Sequence, residues 1–150
     1  MSFKRSLIII RGPSGSGKST IARHLGGIAK QNWFEADQFF EKNGHYDFDT
    51  KRLGLAHKFC QEQTKAAMEH CEPMIIVSNT SMTIAELTPY LQAAEQYGYA
   101  VTIYRTPKPW PVEALKERNK HGVPYQVIAK QINKYQASPG EVEWTNLSIF

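Results

Sequence analysis

Short apolar segments alternate along the chain with longer segments in which apolar residues recur every three or four positions. A short apolar run is typical of a strand buried in a parallel sheet, and the longer period is typical of an amphipathic helix. The predicted strands cover residues 7–10, 32–35, 74–78 and 99–104, and the predicted helices cover about 19–29, 50–69, 83–97, 112–120 and 123–135. Because strands and helices alternate, we predict an α/β fold with a parallel sheet flanked by helices.

Residues with capping chemistry mark the ends of two predicted helices. Thr83-Ile-Ala-Glu86 is a capping box that starts the third helix, and Gly98 ends it. Asp49-Thr50 can cap the second helix, and Glu72-Pro73 breaks it. The stripe of the second helix that we expect to face the core contains Leu53, His57, Cys60, Thr64 and Met68.

Two segments follow neither period. Residues 38–50 are too long for a plain turn, and their aromatic side chains suggest an excursion of the chain that packs over the site, or rings that only fill the local core. These aromatic residues are Phe39, Phe40, Tyr46 and Phe48, which surround Asn43-Gly44. The second segment, residues 137–150, is predicted to be either an edge strand or a loose tail.

The composition is that of an ordinary globular protein, with 41% hydrophobic and 21% charged residues. A chain of 150 residues without repeats or linkers predicts one domain over residues 1–150. No apolar run is long enough to span a bilayer, and residues 1–6 pass directly into the first strand. We therefore expect no signal peptide, no membrane partner and a cytoplasmic monomer.

The two cysteines, Cys60 and Cys71, are predicted to lie on one helix. Eleven residues along a helix span about 16 Å, which is too far for a disulfide, so we expect both thiols to be reduced. No group of Cys and His residues has the spacing of a zinc site. The net charge of +4 fits a polyanionic partner, but a nucleotide site is basic in any case.

The first predicted strand is followed by the phosphate-binding pattern G-x-x-x-x-G-K-[ST]. Its glycines let backbone N–H groups approach phosphate oxygens, and the dipole of the following helix favours an anion. Lys18 is the expected cation on the β- and γ-phosphates, and the Ser19 hydroxyl is the expected Mg²⁺ ligand. The predicted nucleotide-binding residues are Gly12, Pro13, Ser14, Gly15, Ser16, Gly17, Lys18, Ser19 and Thr20. We therefore expect ATP and Mg²⁺ as cofactors.

Polar residues follow the next two predicted strands at the sheet edge where ligands bind. Asp37 follows the second strand and is either the general base for an acceptor hydroxyl or a partner of Mg²⁺, although it can also simply cap its turn. Asn79 and Thr80 follow the third strand and are candidates for the acceptor site. The Asn79 amide can orient an acceptor or satisfy its own turn.

Several motifs beyond the phosphate loop resemble the kinase domain of phage polynucleotide 5′-kinases and the related NEDD4-binding-protein-like P-loop kinases. They are Glu35-Ala-Asp37-Gln-Phe-Phe, Gly44-x-Tyr-x-Phe-Asp49, Val77-Ser-Asn79-Thr80 and Arg118-Asn119-Lys-His121-Gly122-Val-Pro124. The resemblance covers residues 6 to about 135. It implies a P-loop NTPase fold, Asp37 as general base and a small helical lid, about residues 116–126, whose arginine neutralises the transferring phosphate.

The chain departs from that pattern at three places. Phe40 stands where the phage enzymes have an acceptor-side arginine, Asn79 stands where they have an aspartate, and the lid has His121 near the place of a second arginine. Arg118 can form a forked contact with phosphate oxygens in the transition state, so we include it among the catalytic candidates. We expect His121 to be a surface residue of the lid loop. Phe39, Phe40, Tyr46 and Trp110 can stack a base or belong to the core.

Three functions are compatible with these residues. The first is an ATP-dependent kinase of polynucleotide 5′-hydroxyl ends, and the second is a kinase of a small molecule or modified nucleoside, which the missing acceptor arginine favours. The third is an ATP-binding or ATPase module without an acceptor. Asp37 favours the first two functions over the third, because a nucleotide switch needs no base opposite its phosphate loop.

Overall fold

The structure is a computed structural model that describes residues 4–42 and 45–145. These residues form a sheet of five parallel strands, a second sheet of two short strands, and five α-helices. In chain order the elements are β1 (Ser6–Arg11), α1 (Lys18–His24), β2 (Trp33–Phe34), β3 (Glu41–Lys42), β4 (His45–Tyr46), α2 (Leu53–Glu69), β5 (Met74–Ser78), α3 (Ile84–Tyr97), β6 (Ala100–Arg105), α4 (Val112–Arg118), α5 (Tyr125–Asn133) and β7 (Val142–Glu143). Short 3-10 helices cover Ala36–Phe40 and Thr50–Arg52. The five-stranded sheet has the order β2-β5-β1-β6-β7. The predicted parallel α/β fold is confirmed.

The apolar side chains of β1 explain why this strand lies at the centre of the sheet. Leu7, Ile9 and Ile10 are fully buried, and β1 pairs in parallel with both β5 and β6. On one face Leu7 and Ile9 pack in a core with residues of α2 and α3, and on the other face Ile10 packs with Ile21 and Ala22 of α1. This arrangement holds the carboxyl end of β1, where the phosphate loop begins, between two layers of helices.

The predicted capping residues largely act as expected at the two ends of α3. The Thr83 hydroxyl accepts a hydrogen bond from the Glu86 backbone N–H at 3.3 Å, and Gly98 ends α3 in a left-handed conformation. Helix α1 is shorter than predicted, because Gly26 follows it with a φ of 92°, a value that favours glycine. Two predicted positions on α2 are wrong: Leu53 is exposed, and Cys71 lies beyond the end of the helix. Both cysteines are free thiols.

The structure describes the tail as far as residue 145, and this part of the tail contains an edge strand. Residues 146–150 lie outside the described residues. Strand β7 pairs in parallel with β6, so the edge-strand alternative is correct for these residues. A buried ion pair holds the tail in place: the Arg11 guanidinium lies 2.7 Å from the Glu141 carboxylate. Burial alone would raise the pKa of Glu141. Hydrogen bonds from Ser138 and from the Arg11 guanidinium outweigh this effect and lower the pKa.

The excursion between β2 and α2 packs against the core. It consists of the first 3-10 helix and the β3–β4 hairpin, and Phe40 within it is 2% exposed. The predicted centre of this excursion, Asn43-Gly44, falls outside the described residues. Within the described ranges, no helix is both long and apolar enough to cross a membrane.

Candidate active site

At two positions of the phosphate loop, neighbouring atoms leave no space for a Cβ, so glycine is required there. A Cβ at Gly12 would lie 2.1 Å from the Thr106 hydroxyl oxygen, and a Cβ at Gly15 would lie 2.2 Å from the backbone oxygen of Leu115. Gly15 also has a φ of 81°. The end of β6 and helix α4 therefore press against the loop and hold its backbone in place.

The N–H groups of this loop are arranged to bind an anion. Among the described residues, the backbone N–H groups of Gly15, Gly17 and Ser19 donate to no protein acceptor. The Ser14 N–H donates instead to the side-chain oxygen of Gln131 at 2.9 Å, and the Gln131 amide donates to the Ser14 hydroxyl at 3.1 Å. These two hydrogen bonds connect helix α5 to the turn of the phosphate loop.

Lys18 lies over the loop with its ammonium group inside the site. Its Nζ donates to the backbone oxygens of Gly12 and Pro13, both at 3.0 Å. Burial lowers the pKa of Lys18 to about 8, although the negative charges of Asp37 and Glu35 act in the opposite direction. The loop lysine and these two carboxylates therefore share one electrostatic environment.

Glu35 is a carboxylate of the site that the sequence patterns do not select. Its Oε2 accepts a hydrogen bond of 3.1 Å from the Ser78 hydroxyl, which in turn accepts one of 2.7 Å from the Trp33 indole N–H. Burial and the neighbouring charge of Asp37 raise the pKa of Glu35 to about 7. Its place at the end of a predicted strand is the signal that marks it, because ligands bind at that sheet edge.

The raised pKa of Glu35 predicts a pH-dependent effect of Glu35→Gln on stability. The unfolded carboxyl titrates near 4.5. The native state is therefore progressively destabilised as the pH rises from about 4.5 to about 7, by about 3 kcal/mol in total. Glutamine keeps an oxygen for Ser78 without the charge. We expect Glu35→Gln to melt at a higher temperature than wild type at pH 8, and the difference to shrink towards pH 5.

Thermal unfolding of the ligand-free protein between pH 5 and 8 measures this effect. Glu95→Gln is the matched control, because Glu95 is exposed on α3. A gain in stability that is the same at both pH values would contradict the buried charge at Glu35.

Asp37 lies in the 3-10 helix after β2, with 41% of its side chain exposed. The Tyr46 hydroxyl donates to its Oδ1 at 2.8 Å, and Nε2 of His121 lies 3.7 Å from its Oδ2. The structure thus brings the predicted base together with His121, a residue of the predicted lid that the sequence places on the surface. The His121 ring is indeed exposed, but it contacts the site.

Asn79 is buried and its polar atoms are already bonded. Its side-chain oxygen accepts from the Ala36 N–H at 2.8 Å, and its amide nitrogen donates to the Tyr90 hydroxyl at 3.4 Å. These bonds tie the end of β5 to the start of the 3-10 helix that carries Asp37. The Asn79 side chain therefore positions that helix, and Thr80 contributes its backbone oxygen to the Gly12 N–H at 3.1 Å.

Of the remaining predicted residues, some lie at the surface and others lie in the core. Arg118 is exposed, and its Nε donates to the Ala114 backbone oxygen of its own helix at 3.4 Å. Phe40 and Trp110 are buried, so they belong to the core. Phe39 packs against the core, with the Arg52 guanidinium over its ring.

Two further residues contact the loop without being predicted. The Thr106 hydroxyl donates to the Ser16 hydroxyl at 2.9 Å, and Gln131 binds Ser14 as described above. Thr106 directly follows β6, so its position at the carboxyl edge of the sheet is a signal in the sequence. Gln131 lies within α5, where nothing in the pattern distinguishes it from other helical residues.

The site offers oxygen ligands of the kind that Mg²⁺ prefers. The half-buried Ser19 hydroxyl lies in the first turn of α1, next to the loop that presents its N–H groups. Among the described residues, no group of three or more His, Cys, Asp or Glu side chains forms a metal cluster. A metal ion held by one protein oxygen together with phosphate oxygens fits this donor set better than an all-protein site.

Known proteins are similar to this chain over most of its length. A family model described as an AAA domain (AAA_33) matches residues 7–141. NEDD4-binding protein 2 of Homo sapiens is 37% identical over 139 residues, which cover 87% of this chain and 8% of that protein. The chain thus spans less than a tenth of that relative.

Solved structures show the same fold. A chain of the Pnkp1/Rnl/Hen1 RNA repair complex has a TM-score of 0.66 at 21% identity, over 89% of this chain and 45% of that chain. The Mycobacterium tuberculosis APS kinase CysC, in complex with AMPPNP and APS, has a TM-score of 0.60 at 16% identity, over 95% of this chain and 90% of that chain. The fold is therefore that of P-loop kinases.

Proposed function

Since the chain belongs to the AAA domain family AAA_33, we propose that it is an ATP-dependent kinase that transfers the γ-phosphate to a hydroxyl, most directly a polynucleotide 5′-hydroxyl. The observation that carries the proposal is that Lys18 of the phosphate loop and Asp37 lie in one site, where the negative charge of Asp37 acts against the lowering of the Lys18 pKa by burial. A cation for the phosphates and a base for the acceptor are the parts that phosphoryl transfer requires.

The residues divide the reaction between them. The loop N–H groups and Lys18 bind the phosphates, and Asp37 accepts the proton of the acceptor hydroxyl. The acceptor oxygen bonds to the γ-phosphorus while the bond to the bridging oxygen breaks, and ADP leaves with that electron pair. Mg²⁺, held by Ser19 and phosphate oxygens, would neutralise charge on the phosphates.

One solved structure supports a polynucleotide acceptor, because the chain shares its fold with a chain of an RNA repair complex. A radiolabelled transfer assay tests the proposal: [γ-³²P]ATP is offered with DNA and RNA oligonucleotides that carry a 5′-hydroxyl. We expect labelled 5′ ends, and no label on the same oligonucleotides with a 5′-phosphate.

A small-molecule acceptor is the second candidate, and the burial of Phe40 favours it. Phe40 takes the place of the acceptor-side arginine and is part of the core, so it offers no cation to a nucleic acid phosphate. APS kinase shows that this fold also occurs in a small-molecule kinase. A panel of nucleosides in the same assay separates the two candidates: labelled nucleosides beside unlabelled oligonucleotides would identify the second.

An ATPase without an acceptor is the third candidate. It predicts ADP formation that no oligonucleotide or nucleoside accelerates, and an Asp37→Asn variant that hydrolyses ATP as fast as wild type. Acceptor-dependent release of ADP would exclude it.

Arg118→Ala tests whether the lid supplies a cation to the transition state. We expect the variant to lower kcat more than it raises KM for ATP, because a contact made mainly in the transition state affects the chemical step. Steady-state kinetics with the acceptor at saturation measure both constants, and Lys116→Ala, at another exposed basic residue of α4, is the control. A change confined to KM would place Arg118 in ground-state binding.

A further inference from the structure

The two carboxylate oxygens of Asp37 have different surroundings. Oδ1 accepts the Tyr46 hydroxyl at 2.8 Å, within the range of a hydrogen bond to a charged oxygen. Within residues 4–42 and 45–145, a polar neighbour of Oδ2 is Nε2 of His121, at the longer distance of 3.7 Å. Because the two oxygens of a carboxylate turn as one group, a donor that holds Oδ1 also fixes the direction in which Oδ2 faces.

Tyr46 is itself held by aromatic neighbours. Its ring is stacked with Phe48 at a centroid distance of 6.3 Å and an angle of 8°, and it meets Phe40 edge to face at 6.1 Å. Burial, together with the hydrogen bond to Asp37, raises the pKa of Tyr46. The hydroxyl therefore stays protonated and remains a donor to the carboxylate.

The lid reaches the same tyrosine from the other side. The His121 ring is stacked on the Tyr46 ring at a centroid distance of 4.2 Å and an angle of 28°. His121 comes from the loop between α4 and α5, while Tyr46 comes from the β3–β4 hairpin. One side chain thus contacts the predicted base through its hydroxyl and the lid through its ring.

We propose that Tyr46 is a positioning residue for Asp37, and that His121 couples the lid to it by stacking on the Tyr46 ring. The proposal rests on the function proposed above, in which Asp37 accepts the proton. It adds no chemical step. Tyr46 holds Oδ1 so that Oδ2 faces the acceptor, and the His121 stack brings the loop between α4 and α5 onto the ring that orients the base.

Two variants separate the two parts of this proposal. Tyr46→Phe keeps the ring and removes the hydroxyl, so we expect kcat to fall about tenfold or more with KM for ATP within about twofold of wild type. His121→Ala keeps the hydroxyl and removes the stack. We expect amide hydrogen exchange of residues 119–123 to be about tenfold faster in that variant and unchanged in Tyr46→Phe.

The matched control is Tyr97→Phe. The Tyr97 hydroxyl also donates to a carboxylate, Oε1 of Glu69 at 2.9 Å, but it joins α3 to the end of α2. We expect wild-type kcat and wild-type exchange of residues 119–123 in this control. Thermal unfolding of every variant shows that the fold is retained.

Each outcome decides one part. Wild-type kcat in Tyr46→Phe overturns the positioning role, and unchanged exchange in His121→Ala overturns the coupling to the lid. If the wild-type protein transfers phosphate to no acceptor, the proposed function fails and the positioning role with it. The exchange measurement needs no activity, so it still decides whether the lid is held by Tyr46.

Discussion

Lys18→Ala is expected to abolish measurable phosphoryl transfer, with a fall of roughly 10³-fold or more, and to weaken ATP binding. Lys18 is half-buried, and its ammonium group lies over the loop whose N–H groups would cradle the phosphates. Cations placed on a transferring phosphoryl group contribute on this scale. Alanine leaves the glycine-rich backbone in place but removes its cation. Single-turnover transfer and equilibrium binding of ATP on the same preparation measure the two effects.

The charge balance of the site sharpens this expectation. Without the lysine, the negative charge of Asp37, joined above pH 7 by that of Glu35, faces the triphosphate with no cation from the loop between them. ATP binding is therefore lowered by repulsion as well as by the lost contact. Lys65→Ala is the control, because Lys65 is exposed on α2. Wild-type turnover in Lys18→Ala would remove the phosphate-loop assignment altogether.

The backbone of the site could be predicted from the sequence because local patterns encode it. The apolar run of β1, the glycine spacing of the loop and the capping box of α3 each act over a few residues. The sheet order then places the ends of β1, β2, β5 and β6 at one edge. Asp37 could be selected by this rule alone, and the structure places it in the electrostatic environment of Lys18.

The partners of these residues could not be predicted, because they come from distant parts of the chain. Gln131 is 117 residues from Ser14, and the Ser78 hydroxyl meets Glu35 across two strands. Asn79 illustrates the same limit. Its place at a strand end suggests contact with an acceptor, yet its amide is used to hold the 3-10 helix of Asp37. Only packing determines whether a polar side chain faces the cleft or the core.

Asp37→Asn is expected to separate binding from chemistry. Asparagine keeps the shape of the side chain and an oxygen that can accept the Tyr46 hydroxyl, but it cannot take a proton at neutral pH. We expect transfer to fall by roughly 10²- to 10⁴-fold, the range for a lost general base. MgATP should bind as well as before or slightly better, because one negative charge near the triphosphate is removed.

The control for this variant lies in the same excursion of the chain. Asp47 is exposed, so Asp47→Asn removes the same charge ten residues further on without changing the site. We expect its transfer rate and ATP affinity to equal those of wild type. ATP affinity and single-turnover transfer measured on both variants then distinguish a local effect of charge from the loss of a proton acceptor.

Glu35 makes the outcome more informative than a single substitution would be. Its pKa of about 7 makes it a second carboxyl of the site that can exchange a proton near neutral pH. If Asp37→Asn keeps wild-type transfer while Glu35→Gln loses it, Glu35 is the base and Asp37 only caps its turn. If MgATP binding is lost together with transfer in Asp37→Asn, the carboxylate belongs to the metal site. Asp37 is the base only if three results are found together. Asp37→Asn must keep its affinity for MgATP and lose phosphoryl transfer, and Glu35→Gln must keep more of the wild-type transfer rate than Asp37→Asn does.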